Sequence, residues 1–283
     1  MELLIQNCSI IDGTGAPAYT GSVGFSSGKF RVFRGRQTPE AKRTIDARGL
    51  TLAPGFLDAH SHGDLTMKSP FATLSKLSQG FTTQIAGQCG ASMFPAGGAH
   101  AGLFPKFASG IAPHPDLPDD MERLSSAKSY FEWLDTLQNP IATKSFVGLG
   151  TLRLWAMGYE DRRPDGTEFE RMQSMLRRCI REGALGLSSG LVYAPCRYAG
   201  NDEILALLRI VHEEGGVYAT HPRNEADYAV ESRRESIRLA MEAGVPLCVS
   251  HLKAAGRDNW GKPKQILSDV DRAVENGLSA LID

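Results

Sequence analysis

The sequence has no long hydrophobic run. None approaches the roughly 20 apolar residues that a membrane-crossing helix needs, so no such helix is expected. It also lacks an excess of either charge, with 31 Lys and Arg against 32 Asp and Glu. A nucleic-acid or membrane-surface partner would call for a basic excess or a basic face, so neither is expected. The opening Met1-Glu-Leu-Leu-Ile-Gln6 has no basic segment and no long apolar core, and does not read as a secretory signal. The five cysteines are odd in number and irregularly spaced, which excludes a simple disulfide framework and points to a reducing, cytoplasmic setting. There is no internal repeat and no low-complexity tract. Histidine is scarce too, at seven residues, so where the histidines fall is informative.

What is present is ordinary globular composition, 42% hydrophobic and 22% charged, enough for a large core. Residues 1–53 read as a small β module. Leu3 to Ile11 is a strand pattern ended by the turn Asp12-Gly13, and Ser22-Val-Gly-Phe25, Phe30-Arg-Val-Phe33 and Arg43-Thr-Ile-Asp46 are further short strands. From residue 52 onward short apolar runs alternate with amphipathic segments, and a second domain is expected over 54–283. The runs are 52–59, 81–86, 145–149, 184–188, 216–220, 245–250 and 278–282; the helical segments are 71–78, 127–138, 168–182, 202–214, 231–243 and 263–276. Several helices end in a stop pattern, as at Ala243-Gly244. Alternation of this kind means a parallel α/β sheet, and seven strands suit either a doubly wound sheet or most of an eight-stranded barrel. Residues 93–125, rich in Pro, Gly and Asp, are expected to form a long loop after the second parallel strand.

Four histidines cluster at expected strand C-termini: His60 and His62 after the first run, His221 after the fifth and His251 after the sixth. That edge is where parallel α/β folds build active sites, and imidazole is the commonest transition-metal ligand. Residues i and i+2 of a strand share a face, so His60 and His62 are expected to point into one space. Cys89, in Ala86-Gly-Gln-Cys-Gly90, adds a thiol at the end of the second strand, a good zinc ligand once ionised. His100, His114 and His212 read as loop or helix residues, and Cys8, Cys179 and Cys248 as packing residues. Cys196 reads as more structural than functional. Asp58 is expected to orient a ligand from behind, and Asp64 to be a loop residue.

These residues carry a family resemblance. Asp58-Ala-His-Ser-His62 after an N-terminal β module resembles the amidohydrolase superfamily. Within it, Ile11 to Pro17, Pro54 to Asp64, Gly87-Gln-Cys-Gly90, Gly183 to Pro195, Tyr218 to Glu225 and Ser250-His-Leu-Lys253 together resemble the N-acyl-D-amino-acid deacylase (D-aminoacylase) family over the whole chain. The resemblance implies an α/β fold: a (β/α)8 TIM-type barrel, incomplete within residues 54–283, flanked by a small β-sandwich to which residues 1–53 contribute. It implies that Cys89, His221 and His251 bind a tight zinc, that His60 and His62 hold a second, weaker position, and that Lys253 and Tyr193 contact the carboxylate of a small-molecule N-acyl amino acid. Lys253 is supported independently, since an ammonium two residues past a ligand can pair with a carboxylate. The expected reaction is hydrolysis of the acyl amide by zinc-activated water.

Hydantoinase- and dihydroorotase-like relatives, which open cyclic amides and are the alternative reading, need a lysine in the run Ala184 to Gly190, and none is there. Gly148-Leu-Gly150 stands where family members often carry Gly-His-Gly. The family's general acid/base is an Asp ending strand eight, beyond Asp283, so the chain is expected to be part of a longer polypeptide, one half of an assembly, or a metal-binding fragment without turnover. Asp283 itself ends strand seven and is not expected to be the base.

Overall fold

The structure is a computed structural model describing residues 1–35 and 38–283. The chain divides into two compact units, Met1–Phe56 and Leu57–Asp283.

The first unit is one mixed five-stranded sheet. Strands β1 (Leu3–Ile10), β2 (Tyr19–Ser26), β3 (Lys29–Phe33) and β4 (Arg43–Asp46) lie in the order β3-β2-β1-β4, and β5 (Thr51–Leu52) also pairs with β1. A bulge interrupts β1 between Ile5 and Cys8. Asn7 takes it up with a left-handed φ of 62°, a region asparagine tolerates, and its amide donates to Asp46 Oδ1. The core is small: Cys8, Ile10 and Ala47, with Ile5, Tyr19, Val23 and Leu52 against it.

In the larger unit, chain order alternates strand and helix. The strands are β6 (Phe56–Asp58), β7 (Phe81–Ala86), β8 (Ala142–Ser145), β9 (Val147–Gly148), β10 (Gly186–Gly190), β11 (Val217–His221), β12 (Leu247–Val249) and β13 (Ala280–Ile282). The helices are α1 (Pro70–Leu77), α2 (Phe104–Ser109), α3 (Ala127–Thr136), α4 (Leu149–Met157), α5 (Gly166–Arg181), α6 (Asn201–Glu213), α7 (Ala229–Ala243) and α8 (Lys262–Glu275). The sheets run β6-β7-β8 and β13-β12-β11-β10-β9. Only Phe146 separates β8 from β9, so one stretch, 142–148, pairs with β7 on one side and β10 on the other. The pairings from β7 through to β13 are parallel.

Helix α5 shows how the sequence selects this arrangement. Asp165 caps its N-terminus in a reciprocal capping box with Glu168, and Met172, Leu176, Cys179 and Ile180 form its buried stripe at helical spacing. Leu176 is fully buried, and cutting it to Ala would cost about 2–5 kcal/mol. Helix α7 stops where Gly244 takes a left-handed φ of 72° that closes the last turn.

Two expectations need correction. The stretch 93–125 is not all loop, since α2 forms within it. The strand expected at 145–149 ends at Gly148, and Leu149 opens α4, whose residues are almost all buried. A helix hydrophobic on every side has no amphipathic period for a sequence reading to detect. Among the described residues no helix is long and apolar enough to cross a membrane.

Candidate metal centre

The site lies at the C-terminal ends of the strands, where side chains from distant parts of the chain meet. The Gly87-Gln-Cys-Gly90 turn leaves β7 and is gripped from two sides. Ser188 in β10 accepts from Gly90 N and donates to Gly87 O. The first amides of α4, on Gly150 and Thr151, donate to Gly90 O at 2.8 and 3.3 Å. The fit is so close that a Cβ on Gly90 would strike Gly190 N, so both positions need glycine. Cys89 itself sits at φ +55°, a left-handed conformation that a side chain adopts only when its surroundings enforce it. His251 is likewise at φ +37°.

The Cys89 Sγ lies 3.4 Å from His60 Nε2 and 3.6 Å from His251 Nε2, and these three atoms form one potential ligand cluster. His221 Nδ1 is 3.0 Å from His251 Nε2. His221, His251 and Glu225 make a second cluster. The imidazoles are held from behind by carboxylates. Asp283 Oδ2 is 2.8 Å from His60 Nδ1, and Glu225 Oε1 is 2.8 Å from His251 Nδ1. Each of these two rings is thereby held with Nε2 toward the Cys89 sulfur, the arrangement that orients a metal-ligating histidine.

His62 stands somewhat apart, its ring centroid 5.8 Å from that of His60, and it joins neither cluster. Its Nδ1 is buried and has no hydrogen-bond partner among the described residues.

Electrostatics agree with a cation-ready site. Burial, together with neighbouring His60 and His251, lowers the His62 pKa to about 4. Burial also lowers that of His221 to about 4, against the pull of Glu225. Both rings are therefore neutral at pH 7, as ligation requires. Burial and the Asp283 and Glu225 carboxylates push the Cys89 thiol up to about 12. A divalent ion reverses this, because a coordinating thiol loses its proton outright. Burial opposes ionisation of Glu225, but hydrogen bonds from His251 and Lys253 outweigh it and hold the carboxyl down to about 2. A soft thiolate beside neutral imidazoles suits zinc.

The remaining expected residues are placed as follows. Lys253 is exposed and its Nζ is 2.6 Å from Glu225 Oε2 and 3.4 Å from His251 Nδ1. The Tyr193 ring lies 4.9 Å from that of His221. Cys8 and Cys179 are fully buried, and Cys196 is buried. Cys248 departs from its reading as pure packing, since its Sγ approaches Asp283 Oδ2 at 3.5 Å. Strand β12 stops at Val249, so the chain has left the sheet before it reaches His251. Nor is Asp64 a loop residue open to solvent: it is 1% exposed and burial raises its pKa to about 7. Asp58 holds not an imidazole but the His60 amide, at 3.2 Å, and the Lys76 ammonium, at 2.8 Å.

Sequence reasoning missed Glu225 and Arg233. Arg233, in α7, is 2% exposed and donates to Thr220 O, Ser250 O and His251 O, tying the ends of β11 and β12 together. Glu225 lies four residues past His221, and a carboxylate in so polar a stretch gave no periodic signal.

Comparison with known proteins adds to this geometry. No protein-family model matches the chain. A D-aminoacylase of Alcaligenes xylosoxydans xylosoxydans is 31% identical over 281 residues, 96% of this chain and 55% of the relative. The crystal structure of an N-acyl-D-glutamate deacylase from Bordetella bronchiseptica, complexed with zinc and a phosphonate mimic of the tetrahedral intermediate, superposes with a TM-score of 0.88 at 32% identity, covering 100% of this chain and 58% of that one. The crystal structure of a D-aminoacylase described as defining a novel subset of amidohydrolases gives a TM-score of 0.86 at 29% identity over the same shares. A centre of one cysteine and several histidines at the strand ends, on this fold, is that of an amidohydrolase. Within that superfamily the chain belongs to the D-aminoacylase, or N-acyl-D-amino-acid deacylase, family. It spans just over half the length of the relatives it matches.

Proposed function

We propose that this chain carries the zinc-binding and substrate-binding part of a hydrolase that splits the amide of N-acyl-D-amino acids into a carboxylate and a D-amino acid. The observation that carries the reading is the convergence of Cys89 Sγ with the Nε2 atoms of His60 and His251, each ring backed by a carboxylate. Zinc would supply polarisation of the acyl carbonyl and activation of water. Cys89, His221 and His251 would hold the tight ion, and His60 and His62 a weaker position. The parallel strands are read as seven of the eight of a TIM-type barrel, and the N-terminal sheet as one layer of a small β-sandwich.

Lys253 and Tyr193 would hold the α-carboxylate. Lys253 already pairs with Glu225 and approaches His251 Nδ1, but its ammonium has three donors and keeps at least one for substrate. Asp283 is not assigned as the base. Its two oxygens are engaged by the His60 ring and the His251 amide, at 2.8 and 2.7 Å, which makes it a positioning residue. The D preference rests on the names of the relatives.

The test is metal analysis joined to an assay. Purified protein is expected to carry one tightly held zinc and, once joined to a part that bears the strand-eight Asp, to hydrolyse N-acetyl-D-leucine in preference to its L enantiomer, hydantoin or dihydroorotate. Protein without bound zinc after reconstitution, or with turnover favouring a cyclic amide, would remove the reading.

A further inference from the structure

A cavity of about 690 Å³ adjoins the metal-ligand cluster. His62, Cys89 and Tyr193 are among its lining residues. Its walls include Phe107, Ile111, Tyr159 and Val192. His221, His251, Lys253 and Glu225 are not among its lining residues, so the cavity and the Lys253 ammonium meet the cluster at different residues. The volume falls within the roughly 300–1,000 Å³ typical of cavities for drug-sized ligands, far more than an acetyl methyl needs.

An N-acyl amino acid has its α-carboxylate on one side of the scissile amide and its acyl chain on the other. With the carboxylate at Lys253 and the carbonyl carbon at the ligand cluster, the acyl chain extends into this cavity. We infer that the cavity between Phe107, Ile111, Tyr159 and Val192 is an acyl-chain site, and that the preferred substrates carry an apolar acyl group longer than acetyl, such as a medium-length alkanoyl or an arylacetyl group. This rests on the deacylase reading and deepens it. In the reaction water adds to the acyl carbon, the C–N bond breaks, the proton passes to the departing amine, and the long-chain carboxylate is released from the cavity. The one cation on the wall, Lys106, is exposed, and no carboxylate pairs with it among the described residues. A charged tip on the acyl chain is therefore the competing outcome.

The experiment compares kcat/KM for N-acetyl-, N-hexanoyl-, N-phenylacetyl- and N-succinyl-D-leucine, and for N-acetyl derivatives of D-alanine, D-leucine and D-phenylalanine. Burying each added methylene is worth about fourfold, so hexanoyl and phenylacetyl substrates are expected to exceed acetyl by roughly tenfold or more. In Ile111→Trp, which narrows the cavity, that ratio should fall toward one. Calorimetric binding of N-hexanoyl- and N-acetyl-D-leucine to the zinc-free chain reads the same preference without turnover. Equal rates and affinities for the two, a preference that follows the amino-acid side chain instead, or a succinyl preference would each overturn the acyl-chain site while leaving the deacylase reading standing. Loss of hydrolysis of every substrate with the hexanoyl binding preference intact would refute the activity and keep the site.

Discussion

The Nδ1 of His60 lies 2.8 Å from a carboxylate oxygen of Asp283, a residue 223 positions away. His60 follows the first strand of the parallel series and Asp283 follows the last, so the two ends of the strand order meet through this contact. The contact also decides which His60 nitrogen faces the Cys89 sulfur.

Asp283→Asn is therefore expected to weaken zinc binding at the second position, which His60 and His62 would hold, by about 10- to 100-fold, the usual cost of removing the carboxylate behind a ligating histidine. Competition against a graded chelator measures this. Unchanged zinc affinity in the variant would show that His60 does not need this partner to present its Nε2.

Cys89→Ala removes the one sulfur in the cluster. Tight zinc is expected to disappear along with any turnover, while the circular dichroism spectrum stays that of the folded chain. Bound zinc at the wild-type ratio would end the assignment of Cys89 as a ligand.

The turn that carries Cys89 leans on α4, and α4 leans on a buried ion pair. Arg153 is 0% exposed and gives both oxygens of Glu203 a hydrogen bond, at 2.7 and 2.6 Å. Burial raises the Glu203 pKa against the pull of that arginine, so the pair is costly to form and costlier to break. Glu203→Ala leaves the guanidinium buried and uncompensated, and should destabilise the fold by about 3–5 kcal/mol in urea unfolding. A loss below about 1 kcal/mol would mean that Arg153 finds another partner.

Acid should loosen α5. The hydrogen bonds from Arg162 and the Asp165 amide hold the Glu168 carboxyl down to about 2. A folded-state pKa below the ordinary carboxylate value gives stability that is fully present above about 4.5 and is lost as pH falls toward 2. The pair lies at the surface, so the expected contribution is under about 1 kcal/mol. Urea midpoints at pH 5 and pH 3 should fall less in Glu168→Gln than in the parent. Parallel pH dependence in the two proteins would contradict the coupling.

Much of this architecture is legible in the sequence, and the limits of that legibility are physical. Strands β7, β10, β11 and β13 and helices α3, α5, α6, α7 and α8 follow from apolar runs, helical stripes and glycine stops. Helix α4 is invisible because burial on all sides erases its period. His60, His62 and His251 stand out by composition and position, yet the strand-face argument for His60 and His62 does not apply, because β6 ends at Asp58, and His251 lies past the end of β12 at Val249. They meet through turns whose φ values a linear pattern does not encode. Glu225 and Arg233 escape for a related reason. Their importance lies in what they touch, and that is set by the folded chain.

Cys89 and His251 both occupy left-handed backbone without the excuse of being glycine. Hydrogen bonds from Ser188, α4 and Arg233 hold these two costly conformations in place. The donor atoms of the site therefore sit on backbone that its neighbours constrain tightly, so a change in any of those supports is a change in the angles offered to a ligand.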